Sequence, residues 1–169
     1  MCAHIMHQSH LDCNAFLGGI SKNYGTNYIL SDTSDYVVIE ADEFDRSFHW
    51  LTPWMSVITA TDPDHLDIYG TKEAYLDSFR HYTELIREGG ALIIHKNLEM
   101  ISNVCDGVKV YEYSREEGDF HAENIIIDNG EILSFKSGKL EDYRDTIEVE
   151  DVMIDGIGGG DVGEKVIDD

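Results

Sequence analysis

Residues 71–95 read TKEAYLDSFRHYTELIREGGALIIH, a helix followed at once by a strand. Tyr75, Phe79, Tyr82 and Ile86 recur at helical spacing, which puts one apolar stripe on a helix over Thr71–Arg87. Thr71 stands where its hydroxyl can accept a first-turn N–H, and Gly89 and Gly90 stand where a helix ends. The run Ala91–His95 is apolar without alternation, as in a strand covered on both faces. Upstream, Tyr36–Ala41 and Met55–Ala60 repeat that pattern. Cys13–Leu17 is a shorter strand leading into a loop with Gly18, Gly19 and Gly25, and Met1–His10 reads as a helix entered partway along. Strands alternating with helices predict an α/β fold with a mainly parallel, doubly wound sheet over about residues 1–105. Ligands of such sheets sit beyond the carboxyl ends of the strands.

Downstream the pattern shifts to short strands: Lys109–Tyr113, Glu123–Asp128, a turn at Asn129 and Gly130, then Ile132–Phe135. Acidic residues crowd in after Lys136, Ile147–Ile154 alternates apolar with acidic side chains, and a glycine-rich run follows from Gly156. The expected organisation is therefore a first unit over 1–122 and a small β-rich acidic extension over 123–169.

Acidic residues number 34 against 12 Lys and Arg, a formal charge of −22. That field opposes nucleic acid and anionic membrane unless a cation intervenes. Cys2, Cys13 and Cys105 form no C-x-x-C pair, so neither a disulfide framework nor a zinc site is signalled, and a cytoplasmic location is expected. No stretch approaches the roughly 20 apolar residues of a membrane helix.

Chemistry concentrates at two strand ends. Glu40, Asp42, Glu43 and Asp45 follow one strand; Asp62, Asp64, His65 and Asp67 follow the next. These two strands are read as neighbours that deliver both clusters to the same edge of one sheet, where the oxygen-rich set with one imidazole suits Mg²⁺ or Mn²⁺ better than zinc, with substrate phosphates completing the shell. A solvated acidic rim with Asp side chains capping helices is the competing reading.

The run Val37-Val38-Ile39-Glu40-Ala41-Asp42-Glu43-Phe44-Asp45-Arg46-Ser47-Phe48, then Ile58-Thr59 and Asp64-His65-Leu66-Asp67-Ile68-Tyr69, resembles the Mur ligase family in its alanine-adding branch. Phe16-Leu17-Gly18-Gly19-Ile20 through Gly25-Thr26-Asn27 matches in order and spacing, and the resemblance covers about residues 1–125. It implies an amide-forming ligase. ATP phosphorylates the carboxylate of UDP-N-acetylmuramate, the amine of L-alanine attacks the acyl phosphate, and phosphate leaves. It further implies Glu40 and His65 as Mg²⁺ ligands, and Thr26, Asn27, Asp42 and Glu43 as lining the nucleotide-sugar site. The family's phosphate loop is expected just upstream of Met1, and its N-terminal and C-terminal domains are expected to lie outside this chain, so unaided turnover is not expected.

The tail, Glu123–Leu133 followed by Val152-Met153-Ile154-Asp155-Gly156 and Gly160-Asp161-Val162-Gly163, resembles a stretch of ribonuclease J. It carries no His-x-His-x-Asp-His cluster, so no nuclease activity is implied, and a β extension or dimer edge is expected of it. The chain can accordingly be read as a composite joined near residues 121–127. Two other functional classes stand beside the ligase fragment: a non-catalytic metal or nucleotide-sugar binding module, and a structural protein that self-associates through the extension. His4, His7 and His10 recur every third residue and are read as surface histidines, and Trp50 and Trp54 as packing residues.

Overall fold

The computed structural model describes residues 1–128 and 131–138, with side chains through residue 121. The turn at Asn129 and Gly130, the acidic alternation over 147–154 and the glycine-rich run lie outside the described residues.

The chain opens with α1 (Cys2–Gln8), then β1 (Asn14–Phe16), β2 (Tyr28–Ile29) and β3 (Val37–Ile39). A short 3-10 turn over Ser47–Trp50 leads to β4 (Met55–Ile58), α2 (Leu66–Tyr69) and α3 (Lys72–Glu84). The remaining strands are β5 (Ala91–His95), β6 (Lys109–Ser114), β7 (Phe120–Asp128) and β8 (Glu131–Gly138). α3 forms where its apolar spacing predicts. Thr71 Oγ1 accepts from Ala74 N at 3.1 Å, satisfying one of the first-turn donors, and Gly89 turns the chain at φ +78°.

These strands form two sheets rather than one. A small sheet has the order β2-β1-β3, with β1 antiparallel to β2 and parallel to β3; a large sheet has the order β4-β5-β6-β7-β8. In the large sheet β4 to β7 run parallel and β8 antiparallel, so the fold is mainly parallel α/β as expected, but the expected end of that sheet near residue 105 is corrected: β6 and β7 pair parallel in the same sheet, and only β7 with β8 makes a hairpin. β7 runs across positions 122 and 123, and its pairings on both sides belong to one sheet.

Each sheet has its own core. In the large one, Tyr82 and Ile86 from the helical region pack with Ile58, Leu92 and Ile94, and Phe48 closes the cluster from the 3-10 turn. Gly90 has room for no side chain: a Cβ there would stand 2.1 Å from the carbonyl oxygen of Trp54, whose acceptor is taken by Ala91 N at 2.9 Å. In the small one, Ala3, Cys13, Ala15 and Ile29 form a compact cluster under α1.

The expectation of strands covered on both faces is corrected for β3 and β4. Val37 and Ile39 are 52% and 45% exposed and Val57 56%, because the helix against each sheet covers one face and these residues alternate to the other. The packing role expected of the tryptophans is likewise corrected: Trp50 is 89% exposed at the end of the 3-10 turn, where its neighbour Phe48 takes the core position. Among the described residues no helix is long and apolar enough to cross a membrane.

Candidate functional site

β3 and β4 lie in different sheets, so the two carboxylate clusters do not reach a common hydrogen-bonded edge. They meet through the loops that leave the strands. After β3 the chain turns tightly: Asp42 Oδ1 accepts from Phe44 N at 2.9 Å, and the Asp42 carbonyl accepts from Phe48 N at 3.0 Å. The carboxylate of Asp42 is thus engaged in shaping its own loop, as Asp side chains commonly are in turns. Asp45 does the same for Ser47, and the hydrogen bonds from Ser47 hold its carboxyl below the usual aspartate range. Ala41 and Phe48 pack against the large core, which carries the exit of the small sheet's strand onto the large sheet.

After β4, the chain passes Asp62 and Asp64 and reaches His65 at φ +53°, a left-handed conformation uncommon for a residue with a side chain. His65 starts α2. Its Nε2 lies 3.9 Å from Glu43 Oε1 and 3.7 Å from Asp64 Oδ2, and its ring meets Phe44 edge-on at 4.9 Å between centroids. Glu43 and His65 are each about two-thirds covered, which weakens solvent screening between them. Beneath them a cavity of about 350 Å³ is lined by Glu43, Asp62, Asp64, Phe48 and Tyr75 among others. Burial pushes the Tyr75 hydroxyl up to about 12, with the charge of Glu43 adding to the effect.

Glu40 contacts the loop after β1 instead. Its Oε2 accepts from Gly18 N at 3.0 Å, and a Cβ on Gly18 would stand 2.8 Å from Oε1, so the glycine allows the close approach. Thr26 and Asn27 belong to the loop that Glu40 touches: the Asn27 carbonyl accepts from Leu17 N at 2.9 Å and the Thr26 carbonyl from Ser21 N at 2.8 Å. The structure therefore groups Glu40 with Gly18, Thr26 and Asn27, and Glu43 with His65 and Asp64.

Among the described residues no three His, Cys, Asp or Glu side chains converge as a ready metal cage. The donors present are single carboxylates and one imidazole, a set that fits an ion held mainly by phosphate oxygens and water, the habit of Mg²⁺. The residues that spacing alone does not reveal are Arg46, Tyr69 and Gly18, since each acts through a ring face, a backbone carbonyl or a close approach. His4 and His7 are engaged elsewhere, His4 with Tyr24 at 2.7 Å and His7 with Asp12 at 2.5 Å.

The sequence profile of the Mur ligase middle domain matches residues 5–149. A UDP-N-acetylmuramate–L-alanine ligase of Phocaeicola vulgatus is 74% identical over 133 residues, covering 79% of this chain and 29% of that protein. The corresponding ligase of Parabacteroides distasonis is 62% identical over 78% of this chain and 29% of its own length. The chain thus spans under a third of the length of these relatives. Two solved structures share the fold. A UDP-N-acetylmuramate:L-alanyl-gamma-D-glutamyl-meso-diaminopimelate ligase from Neisseria meningitides superposes with a TM-score of 0.62 at 19% identity, covering 78% of this chain and 48% of the other. MurF ligase from Thermotoga maritima in complex with ADP gives 0.53 at 15% identity, covering 80% and 34%.

Proposed function

We propose, from the premise that the chain belongs to the Mur ligase family through its middle domain, that it supplies the nucleotide- and metal-facing edge of a ligase joining L-alanine to UDP-N-acetylmuramate. ATP and Mg²⁺ are the cofactors of this reading, and the remaining walls of the cleft come from outside residues 1–169. The observation that carries it is the meeting of the two strand exits, Glu43 against His65 with Phe44 packed on the imidazole, in a chain 74% identical to such a ligase.

In this reading Glu40 and His65 would hold Mg²⁺, which supplies positive charge against the crowded phosphate oxygens of ATP and the acyl phosphate. The chain's own residues prepare that place. Gly18 N fixes the Glu40 carboxylate, and Glu43 and Asp64 flank the imidazole with negative charge that favours a cation beside it. Thr26 and Asn27, on the loop next to Glu40, are proposed to face the nucleotide sugar together with Asp42 and Glu43. With a net charge of −22, the chain accepts these polyanionic substrates only with the metal present. Residues 123–169 are proposed as a β-rich extension that serves as a self-association edge.

Calorimetry of Mg²⁺-ATP on the chain and on a Glu40→Ala, His65→Ala double variant tests the reading. Binding by the parent that the double variant loses supports it. Equal heats from both, or none from either, remove the metal site from this chain.

A further inference from the structure

Resting on that reading, we infer that Tyr69 and Arg46 are positioning residues that latch the two strand exits together and so set where Glu43 stands against His65. Tyr69 is the last residue of α2 and lies one helical turn beyond His65. It is 5% exposed, and its hydroxyl donates a hydrogen bond to the backbone carbonyl of Glu43, 26 positions earlier in the chain. A buried phenol requires a partner for its O–H, and this one takes it from the loop that presents the carboxylate. The same carbonyl accepts from Arg46 N at 3.1 Å, so the Tyr69 bond holds the turn that aims Glu43.

Arg46 holds the turn from its other side. Its guanidinium carbon lies 4.4 Å from the centroid of the Tyr69 ring. Asp42, Glu43 and Asp45 lie within four residues of it, yet among the described residues no ion pair to Arg46 forms and its side chain makes no hydrogen bond. A cation in an acidic loop that chooses a ring over three nearby carboxylates leaves those carboxylates uncancelled, which keeps the site attractive to a metal. Tyr75 supports the ring edge-on, at 4.9 Å between centroids.

The backbone agrees. Arg46 at φ +61° and His65 at φ +53° are both left-handed without being glycine, one on each side of the latch. Such conformations cost free energy and persist where surrounding contacts over-determine them. The contacts that do so here are the Tyr69 hydroxyl on the Glu43 carbonyl, the ring under Arg46 and the Phe44 ring on His65.

The test uses the full chain with Tyr69→Phe, Arg46→Met and Arg46→Lys, reading amide hydrogen exchange and Mn²⁺ affinity by electron paramagnetic resonance. Losing the Tyr69 hydroxyl is expected to speed exchange at the Arg46 and Phe48 amides about tenfold, with β5 amides unchanged, and to weaken Mn²⁺ about tenfold, in line with one hydrogen bond. Arg46→Met is expected to speed exchange at the Phe48 amide about threefold, the worth of one cation–π contact, and Arg46→Lys to restore most of the protection. Exchange at Arg46 and Phe48 that does not change, or that rises equally throughout the chain with a fall in Tm, overturns the latch and makes Tyr69 an ordinary core tyrosine. If the parent binds no Mn²⁺, the metal reading fails while the exchange measurement still decides the latch.

Discussion

Around β5 the core is built from Phe48, Tyr82, Ile86 and Leu92, whereas around β1 it is built from Ala3, Cys13, Ala15 and Ile29. Burial scales with apolar area, so the large sheet rests on hydrophobic packing and the small one has less of it to rest on. What holds the small sheet is a polar knot at Asp12. Its carboxylate accepts from Ser31 Oγ at 2.5 Å and from Cys13 N at 2.7 Å, and it meets His7 Nδ1 at 2.5 Å. The Ser31 hydrogen bond, then that of Cys13 and that of His7, holds the Asp12 carboxyl below the usual range. The comparison bears on function, because Glu40 leaves the polar-held sheet and His65 leaves the apolar-held one. The proposed site joins two units stabilised by different physics, and conditions that loosen one need not loosen the other.

The largest effect is expected from Leu92→Ala. Leu92 is fully buried at the centre of the large core, so its truncation is expected to cost about 4 kcal/mol in denaturant unfolding. A loss as small as that of a surface change would remove hydrophobic packing as the main support of the large sheet.

Acid should act on the small sheet first. A carboxyl depressed in the folded state contributes stability that is full above its unfolded value, 3.8, and is lost as pH falls through the lower folded value. Amide exchange around β1 and the Ser31–Tyr36 segment is expected to rise below that pH before exchange in β5 does, and Asp12→Asn should flatten the difference. Simultaneous loosening of both sheets would contradict the division.

Alkali should act on the large one. The Tyr75 hydroxyl is raised from 10.0 to about 12, so the folded state favours its neutral form; that stability is present below about 10 and is lost as pH rises toward 12. Thermal unfolding across this range should fall less steeply in Tyr75→Phe than in the parent.

The smallest effect on stability is expected from Gly18→Ala. The added methyl meets only the carboxylate end of the Glu40 side chain, which can rotate aside at the loss of its hydrogen bond to Gly18 N, so unfolding should change by about 0.5 kcal/mol or less. Displacing that carboxylate should nevertheless weaken Mn²⁺ binding, a split between stability and binding that a purely structural Glu40 would not show.

The sequence reveals α3 well, because thirteen residues with a cap and a stripe leave little choice. It also reveals the strands except the two-residue β2, but not their division into two sheets: Tyr36–Ala41 and Met55–Ala60 read alike, and pairing partners leave no mark on a three- or four-residue apolar run. The 3-10 turn and α2, at four residues each, are too short for periodicity to appear. At the site, chain order places Glu40, Asp42, Glu43 and His65 after strand ends. The contacts that orient them are invisible there, since Tyr69 reaches a backbone carbonyl, Arg46 a ring face, and Glu40 the amide of a glycine 22 positions away.

A divalent ion is proposed to bind where the exits of β3 and β4 meet. Titrating substoichiometric Mn²⁺ into isotope-labelled chain and following paramagnetic broadening tests it most directly. Signals of Phe44, His65 and Gly18 are expected to broaden first while those around Asp12 and His7 stay sharp. Broadening that begins at Asp12, or that spreads evenly over the acidic surface, would contradict it.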